Sequence, residues 1–351
     1  MNLMEKNVQV TVTGGSGFIG LHIIIKLINQ GYRVKTTIRN LKRENEIRSI
    51  ISKYTQHDKG DLTFFEADLL FDSNWDEAVK GSSYVLHVAS PFFMDKPKNA
   101  DEELYRPALE GTLRVLKAAN RESTVKKIVL TSSMAAVSYG HPPPINESVL
   151  DEDTWTNIDG ADVVPYHISK TIAEKAAWDF IADEGKRLEL VVINPSAVLG
   201  PMLKKEFGTS AAIVTKLMDG SVPALPKIGF QIVDVRDVAD AHIKAMNLPD
   251  ANGKRFIVTD RFLWYSEIAK ILSDEFKTFG YKIPSLTLPH SMVRFYSIFD
   301  PATRSVLNEL GVHRKLNNAR MVNLLGIRPI RAEDSIIETA RTLINVDAIK
   351  K

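Results

Sequence analysis

Short apolar runs alternate with segments of helical periodicity along the first part of the chain. The runs are rich in β-branched residues, which predicts strands buried in a parallel sheet. They lie at residues 9–13, 32–38, 62–67, 84–89, 127–130 and 190–193. Apolar positions at helical spacing predict helices over residues 21–29, 44–53, 75–79, 104–120 and 166–183. This alternation predicts an α/β fold with a doubly wound parallel sheet.

A glycine-rich turn, TGGSGFIG at residues 13–20, joins the first predicted strand to the first helix. Its glycines permit a tight left-handed bend, close approach of backbone to a pyrophosphate, and close packing of helix on strand. The helix that follows points free N–H groups and the positive end of its dipole at the anion. The turn therefore predicts dinucleotide binding on a Rossmann-type sheet. The predicted contacts are Gly14, Gly17, Phe18, Ile19 and Gly20.

The residue after the second strand bears on which dinucleotide is bound. NAD-binding chains usually place a carboxylate there to hold the ribose 2′-hydroxyl. This chain has Arg39 instead, with Lys42 and Arg43 close behind. Guanidinium and ammonium groups suit a 2′-phosphate, so we predict NADPH/NADP+ as the cofactor. The alternative interpretation is a solvated basic loop.

Polar residues and turns follow several predicted strands. Asp68 ends the third strand, and Ala89 and Ser90 end the fourth. Because the carboxyl ends of parallel strands meet at one edge of the sheet, where ligands bind in open α/β folds, we expect these positions to face the cofactor. His87 lies inside the apolar fourth strand, and we interpret it as a buried core histidine.

The stretch PYHISK at residues 165–170 carries the candidate chemistry. Proline suits the first turn of a helix, and residues four apart share a helical face, so Tyr166 and Lys170 point the same way. An adjacent ammonium stabilises a phenolate and brings the tyrosine pKa toward neutrality. Such a tyrosine could give a proton to a carbonyl oxygen while the cofactor gives hydride to the carbon. Ser133, at the end of the fifth strand, would hydrogen-bond the same carbonyl oxygen. The alternative is an ordinary surface pair of residues four apart.

The composition excludes several classes of function. Lys plus Arg number 45 against 43 for Asp plus Glu, so no net field attracts nucleic acid or an anionic membrane. No apolar run approaches the ~20 residues that span a bilayer, and residues 1–9 do not resemble a secretory signal. The chain has no cysteine, which excludes disulfides and predicts a cytoplasmic protein. The spacing of the histidines predicts no metal site.

Beyond residue 195 the alternating pattern loosens. Glycines and prolines break residues 196–230 into short pieces, and a polar–apolar alternation follows at residues 231–235. We predict a nucleotide-binding domain over residues 1–195 with a return contribution from about 231–259. Residues 196–230 and 260–351 are then a smaller, mostly helical substrate-binding part.

These motifs together resemble the extended short-chain dehydrogenase/reductases. The stretches that carry the resemblance are TGGSGFIG at 13–20, HVASPF at 87–92, TSS at 131–133, the segment 166–178, NPSAVLGP at 194–201 and VDVRDVADAH at 233–242. They are most similar to the branch that holds dihydroflavonol 4-reductases, cinnamoyl-CoA reductases and NADPH-dependent aldehyde and ketone reductases.

The resemblance implies roles for individual residues. Ser133, Tyr166 and Lys170 would be the catalytic triad, and the second serine of the Ser132-Ser133 pair is the one that the family uses. The implied cofactor contacts, besides those of the glycine turn, are Arg39, Lys42, Arg43, Asp68, Leu69, Ala89, Ser90, Tyr166, Lys170, Asn194, Pro195 and Ser196. Phe92, Phe93 and Tyr139 would line an apolar substrate pocket, although large aromatic residues are more often plain core.

Two departures from the family pattern bear on the substrate. Cinnamoyl-CoA reductases carry an Asn-Trp-Tyr-Cys run around the tyrosine, whereas this chain has Val-Pro-Tyr-His at residues 164–167, which disfavours a CoA thioester. Plant dihydroflavonol reductases carry an asparagine five residues past the serine, where this chain has Ser138. The stretch 166–180 looks closest to the carbonyl reductases of the branch.

We therefore predict an NADP-dependent oxidoreductase of the EC 1.1.1 type that reduces an aldehyde or ketone to an alcohol, with a small molecule as partner and a monomer or homodimer as assembly. One alternative is a nucleotide-sugar epimerase or dehydratase, which shares the triad, but Arg39 opposes the tightly held NAD of those enzymes. The other alternative is a non-catalytic NADP-sensing protein, which would not require all three residues of the triad.

Overall fold

The structure is a computed structural model that describes residues 8–56, 62–90, 98–142, 148–206, 208–300, 304 and 306–349. Its strands are β1 (Gln9–Thr13), β2 (Arg33–Ile38), β3 (Leu62–Glu66), β4 (Tyr84–His87), β5 (Lys127–Thr131), β6 (Val149–Leu150), β7 (Glu189–Pro195), β8 (Ala197–Leu199), β9 (Leu225–Pro226), β10 (Gly229–Asp234), β11 (Arg255–Val258), β12 (Arg261–Trp264), β13 (Thr287–Leu288) and β14 (Lys315–Leu316).

Helices connect these strands. They are α1 (Phe18–Asn29), α2 (Glu44–Ser52), α3 (Trp75–Val79), α4 (Arg106–Arg121), α5 (Pro165–Asp183), α6 (Ala212–Met218), α7 (Val235–Asn247), α8 (Tyr265–Phe276), α9 (His290–Tyr296), α10 (Ala319–Leu324) and α11 (Ala332–Asn345). A π-helical turn, Asp101–Tyr105, precedes α4, and a short 3₁₀ helix, Met134–Ala136, follows β5. None of the helices in the described ranges is long and apolar enough to cross a membrane.

Seven strands form one sheet in the order β11-β7-β5-β4-β1-β2-β3, and all of its neighbouring strands are parallel. Chain order reverses between β1 and β4, so the carboxyl ends of these strands open the crevice where such sheets bind ligands. The doubly wound parallel sheet predicted from the alternating pattern is confirmed.

Both faces of the sheet are buried, as the apolar strand sequences require. On one face, α1 and α7 pack with the strands in a cluster that includes Val12, Ile24 and Val238. On the other, α4 and α5 contribute to a cluster that includes Leu116 and Ala177. The strand ends are therefore held by a rigid scaffold.

A third apolar cluster lies in the smaller part, between α6, α8 and α11 and a three-stranded sheet of order β12-β10-β8. The segment of about 231–259, which was predicted to return to the large sheet, contributes strands to two different sheets. β11 pairs with β7 in the large sheet, whereas β10 pairs with β8 and β12 in the small one. The smaller part thus has a sheet as well as helices, and the exact domain boundaries stay a prediction.

Candidate functional site at the carboxyl edge of the sheet

The glycine turn lies where β1 passes into α1. Gly14 has a φ of +72°, which favours glycine, and a Cβ on it would stand 3.0 Å from the Cα of Ala89 at the end of β4. A Cβ on Gly20 would press on the carbonyl of Gly14. The glycines at 14 and 20 therefore serve the bend and the close packing for which they were predicted.

The amino end of α1 is open to a ligand. Its N-cap is Gly17, which offers no side-chain cap, and the first turn carries no acidic residue. The first N–H groups of a helix have no partner within the helix, and together with the dipole they form an anion site. The turn therefore fits the pyrophosphate of a dinucleotide.

The basic residues after β2 differ from one another in their surroundings. Arg39 and Lys42 are exposed, and neither side chain makes an ion pair within the described chain. The guanidinium of Arg43 instead pairs with Glu46 at 3.0 Å and with Glu206, a residue of the smaller part, at 2.8 Å. The structure thus leaves Arg39 and Lys42 available to a phosphate, whereas Arg43 already holds two carboxylates.

The ends of β3 and β4 border the same crevice. The carboxylate of Asp68 accepts the N–H of Leu70 at 3.0 Å and closes a turn, while the side chain of Leu69 is buried against α4. The N–H of Ala89 donates to Thr13 Oγ1 at 3.0 Å, which ties the end of β4 to β1. The backbone at these positions lies at the edge of the sheet, as predicted.

His87 is buried, with its Nδ1 2.8 Å from Thr13 Oγ1. Burial lowers its pKa to about 3, and the nearby charge of Lys170 acts in the same direction. It is therefore a neutral core histidine, as interpreted from the sequence.

Two serines end β5, and they have different partners. Ser133 caps the short 3₁₀ helix, where its Oγ accepts the N–H of Ala135 at 3.1 Å, and its hydroxyl also hydrogen-bonds Tyr166. Ser132 Oγ instead donates to Glu174 at 2.5 Å. The second serine of the pair is therefore the one that faces the tyrosine.

Tyr166 and Lys170 lie one turn apart near the start of α5. Val164 is the extended N-cap of this helix and Pro165 fills its first position, where a missing N–H costs nothing. Tyr166 is 41% exposed although it lies on a core helix. An exposed tyrosine at the mouth of a crevice is accessible to a small molecule.

The pKa of Tyr166 is raised above its ordinary value, chiefly because protein atoms around the phenol group displace water from it, although the residue as a whole is partly exposed, while the hydrogen bond to Ser133 lowers the pKa. This differs from the expectation that Lys170 draws the phenol pKa toward neutrality. The Lys170 ammonium donates to Ser90 Oγ at 3.0 Å, and burial lowers its own pKa to about 8. Lys170 therefore reaches the end of β4 in this structure.

The end of β7 borders the site on its remaining side. Asn194 is fully buried, and its amide nitrogen donates to the carbonyl of Ser133 at 3.1 Å and to Glu174 at 2.7 Å. Within the described chain, two buried oxygens here have no hydrogen-bond partner, Asn194 Oδ1 and Ser196 Oγ. Buried polar atoms without partners are uncommon, so this strand end fits a polar ligand group.

Tyr139 was predicted to line the substrate pocket, together with two phenylalanines. Its ring stacks on His167 at 3.5 Å, and the guanidinium of Arg314 covers it at 4.1 Å. Tyr139 thus packs the start of α5 against the C-terminal part. Phe92 and Phe93 lie outside the described residues.

Two residues of the site region were not singled out from the sequence. Glu174 and Arg255 form an ion pair in which the two side chains are 0% and 7% exposed. Glu174 lies four residues after Lys170, a spacing that places it on the same side of the helix. Arg255 begins β11, and nothing local in the sequence marks it.

The comparisons with known proteins agree with this geometry. The model of the NAD dependent epimerase/dehydratase family matches residues 10–258. Cinnamoyl-CoA reductase CAD2 of Medicago truncatula is 38% identical over 80% of this chain and 82% of its own length. A dihydroflavonol 4-reductase of Hordeum vulgare is 31% identical over 78% of this chain and 76% of its own length.

A solved structure extends the likeness to almost the whole chain. Yeast methylglyoxal/isovaleraldehyde reductase Gre2, complexed with NADPH, superposes with a TM-score of 0.80 at 26% identity, covering 97% of this chain and 99% of its own. Together with the family match over residues 10–258, this confirms the resemblance drawn from the sequence motifs. The chain belongs to the NAD dependent epimerase/dehydratase family, the extended short-chain dehydrogenase/reductases.

Proposed function

We propose that this protein is an NADPH-dependent reductase that converts the carbonyl of an aldehyde or ketone to an alcohol. The observation that carries the proposal is the meeting of Ser133 and Tyr166 at the same edge of the sheet as the glycine turn. A proton donor and a hydroxyl that can anchor an oxygen then lie beside a site for a dinucleotide. The likeness to reductases of the same fold supports this assignment.

In the proposed reaction, bound NADPH supplies the hydride that adds to the carbonyl carbon. Ser133 donates a hydrogen bond to the carbonyl oxygen, and Tyr166 gives that oxygen its proton, so that C=O becomes CH–OH. Because its pKa is raised, Tyr166 keeps its proton at neutral pH and can act as the acid.

The partner of Tyr166 is Lys170. We propose that its ammonium stabilises the phenolate that remains after proton transfer and also holds the nicotinamide ribose. Its Nζ already contacts Ser90 at the end of β4, on the side of the sheet edge where the glycine turn lies. Both roles require the charged form of the lysine.

The cofactor contacts proposed from the sequence differ in how available their surroundings leave them. The amino end of α1 holds the pyrophosphate, and Arg39 with Lys42 takes the 2′-phosphate, whereas Arg43 acts there only if its bonds to Glu46 and Glu206 are exchanged. The buried oxygens of Asn194 and Ser196 that have no partner in the described chain support a polar group of the nicotinamide at that strand end.

The substrate class rests on different observations. Gre2, the reductase of methylglyoxal and isovaleraldehyde, shares nearly the whole fold, whereas the relative from Medicago truncatula is named for a CoA thioester. We favour a free aldehyde or ketone because His167, not cysteine, follows the tyrosine. We further propose a cytoplasmic location on the basis of the lack of cysteine, and a monomer or homodimer as the assembly.

The test is to follow NADPH absorbance while purified protein meets a panel of aldehydes, diketones, dihydroflavonols and a cinnamoyl-CoA-type thioester. We expect turnover with one or more free carbonyl compounds. Turnover of the thioester alone would contradict the substrate class. No oxidation of NADPH with any carbonyl, combined with conversion of a nucleotide sugar, would replace the proposal by the epimerase alternative.

A further inference from the structure

The ion pair between Arg255 and Glu174 lies beside the proposed proton donor and its partners and has no role in the reaction proposed above. Arg255 Nε lies 2.5 Å from Glu174 Oε1, and the two side chains are 7% and 0% exposed. Replacing such a buried pair with apolar residues is often neutral or stabilising, so stability alone is a weak reason for its presence. The contacts of each partner indicate another reason.

The carboxylate of Glu174 faces the end of β5 and the end of β7. It accepts the hydroxyl of Ser132 at 2.5 Å and the amide of Asn194 at 2.7 Å. The same amide nitrogen also donates to the carbonyl of Ser133 at 3.1 Å. Glu174 is therefore connected to the backbone of Ser133 from both sides, through its neighbour in sequence and through Asn194.

The guanidinium of Arg255 hydrogen-bonds the segment that follows Ser133. It donates to the carbonyl of Ala136, at the end of the 3₁₀ helix that Ser133 caps, at 3.2 Å. It also donates to the carbonyls of Glu152 and Thr154 at 2.9 and 2.7 Å, and it lies 3.7 Å from the ring of Trp155. A lysine cannot make this planar set of bonds.

Glu174 also acts on the charge of Lys170. Burial lowers the pKa of Lys170 to about 8, and the Glu174 carboxylate opposes that effect. The other groups around Lys170 are Tyr166 on its own helix, His87 on β4, which is neutral, and Ser90. Glu174 is thus the anion that favours the ammonium form.

We infer that Glu174 and Arg255 are positioning residues for the proposed reduction. The pair fixes the serine loop after β5 against helix α5, so that the Ser133 hydroxyl and the Tyr166 phenol meet the same carbonyl oxygen. Neither residue touches the reacting atoms, and the inference rests on the proposed function. The effect of the pair on the charge of Lys170 can be separated from its effect on the position of the serine loop. Glu174 supplies both effects, whereas Arg255 mainly fixes the position of the loop.

Glu174→Gln tests both properties at once. A misplacement of about 1 Å costs roughly 100-fold in rate, so we expect kcat to fall about 10- to 100-fold. Hydride transfer should become rate-limiting, which raises the primary isotope effect measured with 4-deuterated NADPH. The alkaline limb of kcat/KM should move to lower pH, because Lys170 loses the nearby anion that favours its charged form.

Arg255→Lys keeps the charge and removes the planar set of bonds. We expect it to reduce kcat and raise the isotope effect while it leaves the alkaline limb in place. This variant also decides the question if Glu174→Gln does not fold. Thermal unfolding and NADPH affinity by fluorescence are measured for each variant, so that kcat refers to folded, cofactor-binding protein.

The matched control is Glu189→Gln. Glu189 pairs with the buried Lys127 at 3.0 Å, on the same strands β5 and β7 but at their other end. We expect this variant to lower Tm without a change in kcat, isotope effect or pH limb.

The inference is overturned if Glu174→Gln and Arg255→Lys, corrected for folded fraction, keep the kcat, isotope effect and pH limb of the wild type, because the pair is then merely structural. A wild-type protein that reduces no carbonyl of the panel overturns the proposed function and the inference with it. An active wild type with unchanged variants overturns the inference alone, so the two failures are distinguishable.

Discussion

The two halves of the site are built from different materials. The glycine turn between β1 and α1 is made of backbone, with no side-chain cap and no titratable group in its first turn. At the ends of β5 and β7 and on helix α5, the site instead consists of side chains that one connected set of hydrogen bonds joins. The first half can bind, whereas only the second contains groups that can exchange a proton.

This difference predicts how each half fails. Changes in the glycine turn act through backbone shape and should weaken cofactor binding. Changes at Ser133 and Tyr166, the proposed chemical groups of the side-chain half, should slow the chemical step and leave cofactor binding nearly intact. Variants that violate this division would show that the two halves are not separate in function.

The largest effect is expected for Tyr166→Phe. Loss of a positioned general acid costs about 10²- to 10⁴-fold in rate, so kcat should fall by that factor. NADPH affinity, measured by fluorescence titration, should stay close to the wild-type value because the ring remains. Full activity in this variant would remove Tyr166 as the proton donor.

Arg39→Asp should have the next largest effect. One hydrogen bond to a charged group is worth about 1.5–3 kcal/mol, so the affinity for NADPH should fall roughly 10- to 150-fold. NADH should bind better, because a carboxylate suits the ribose 2′-hydroxyl. The measurement is the ratio of kcat/KM for the two cofactors.

Arg43→Gln is the matched control for that experiment. The Arg43 guanidinium is already paired with Glu46 and Glu206, so we expect a smaller change in the cofactor ratio. An equal loss in both variants would show that Arg43 exchanges these partners for the phosphate. An unchanged ratio in Arg39→Asp would remove the argument for the 2′-phosphate.

The same contrast explains what could be predicted from the sequence. The glycine turn was recognisable because a positive φ at Gly14 and close packing at Gly20 are local requirements that only glycine meets. Tyr166 and Lys170 were recognisable because one helical turn fixes their relation. The parallel sheet followed from strand composition and spacing, since strands buried on both faces read as apolar runs.

The rest depends on contacts between distant parts of the chain. Arg43 reads as a free basic residue, yet its partner Glu206 lies 163 positions away. The contact between Arg255 and Glu174 spans 81 positions, and Tyr139 is packed under Arg314 from the C-terminal part. Neither periodicity nor a short motif carries such pairings, because they are set only when the two parts of the fold pack.

Gly14→Ala should have a smaller effect than Tyr166→Phe or Arg39→Asp. A left-handed backbone costs a residue with a Cβ about 1–2 kcal/mol, and the new Cβ would stand 3.0 Å from Ala89. We expect roughly tenfold weaker NADPH binding, because this free energy converts to about that factor. At saturating NADPH, kcat should change little.

Its control is Gly31→Ala, just past the end of α1. Gly31 has a φ of +87° and a Cβ there meets nothing within 4 Å, so the backbone strain is similar but the crowding is absent. This variant should lower Tm and leave NADPH affinity unchanged. A loss of affinity as large as that of Gly14→Ala would mean that general destabilisation explains both.

The smallest effect concerns pH, and it sharpens the role of the side-chain half. Burial lowers the pKa of Lys170 to about 8, and that of Tyr166 is raised above its ordinary value. Lys170 is therefore charged below pH 8 and loses its proton above it, while Tyr166 stays protonated throughout. Because the reaction needs the ammonium, kcat/KM should be level near pH 7, fall to about half near pH 8 and decline further above it.

A profile measured with the wild type and with Lys170→Arg separates the two groups. A guanidinium keeps its charge across this pH range, so any activity that remains in the variant should lack the limb near pH 8. A limb that persists there in Lys170→Arg would have to belong to a group other than Lys170. The charge that the side-chain half needs would then come from elsewhere in the site, and the ammonium would serve only to hold the ribose.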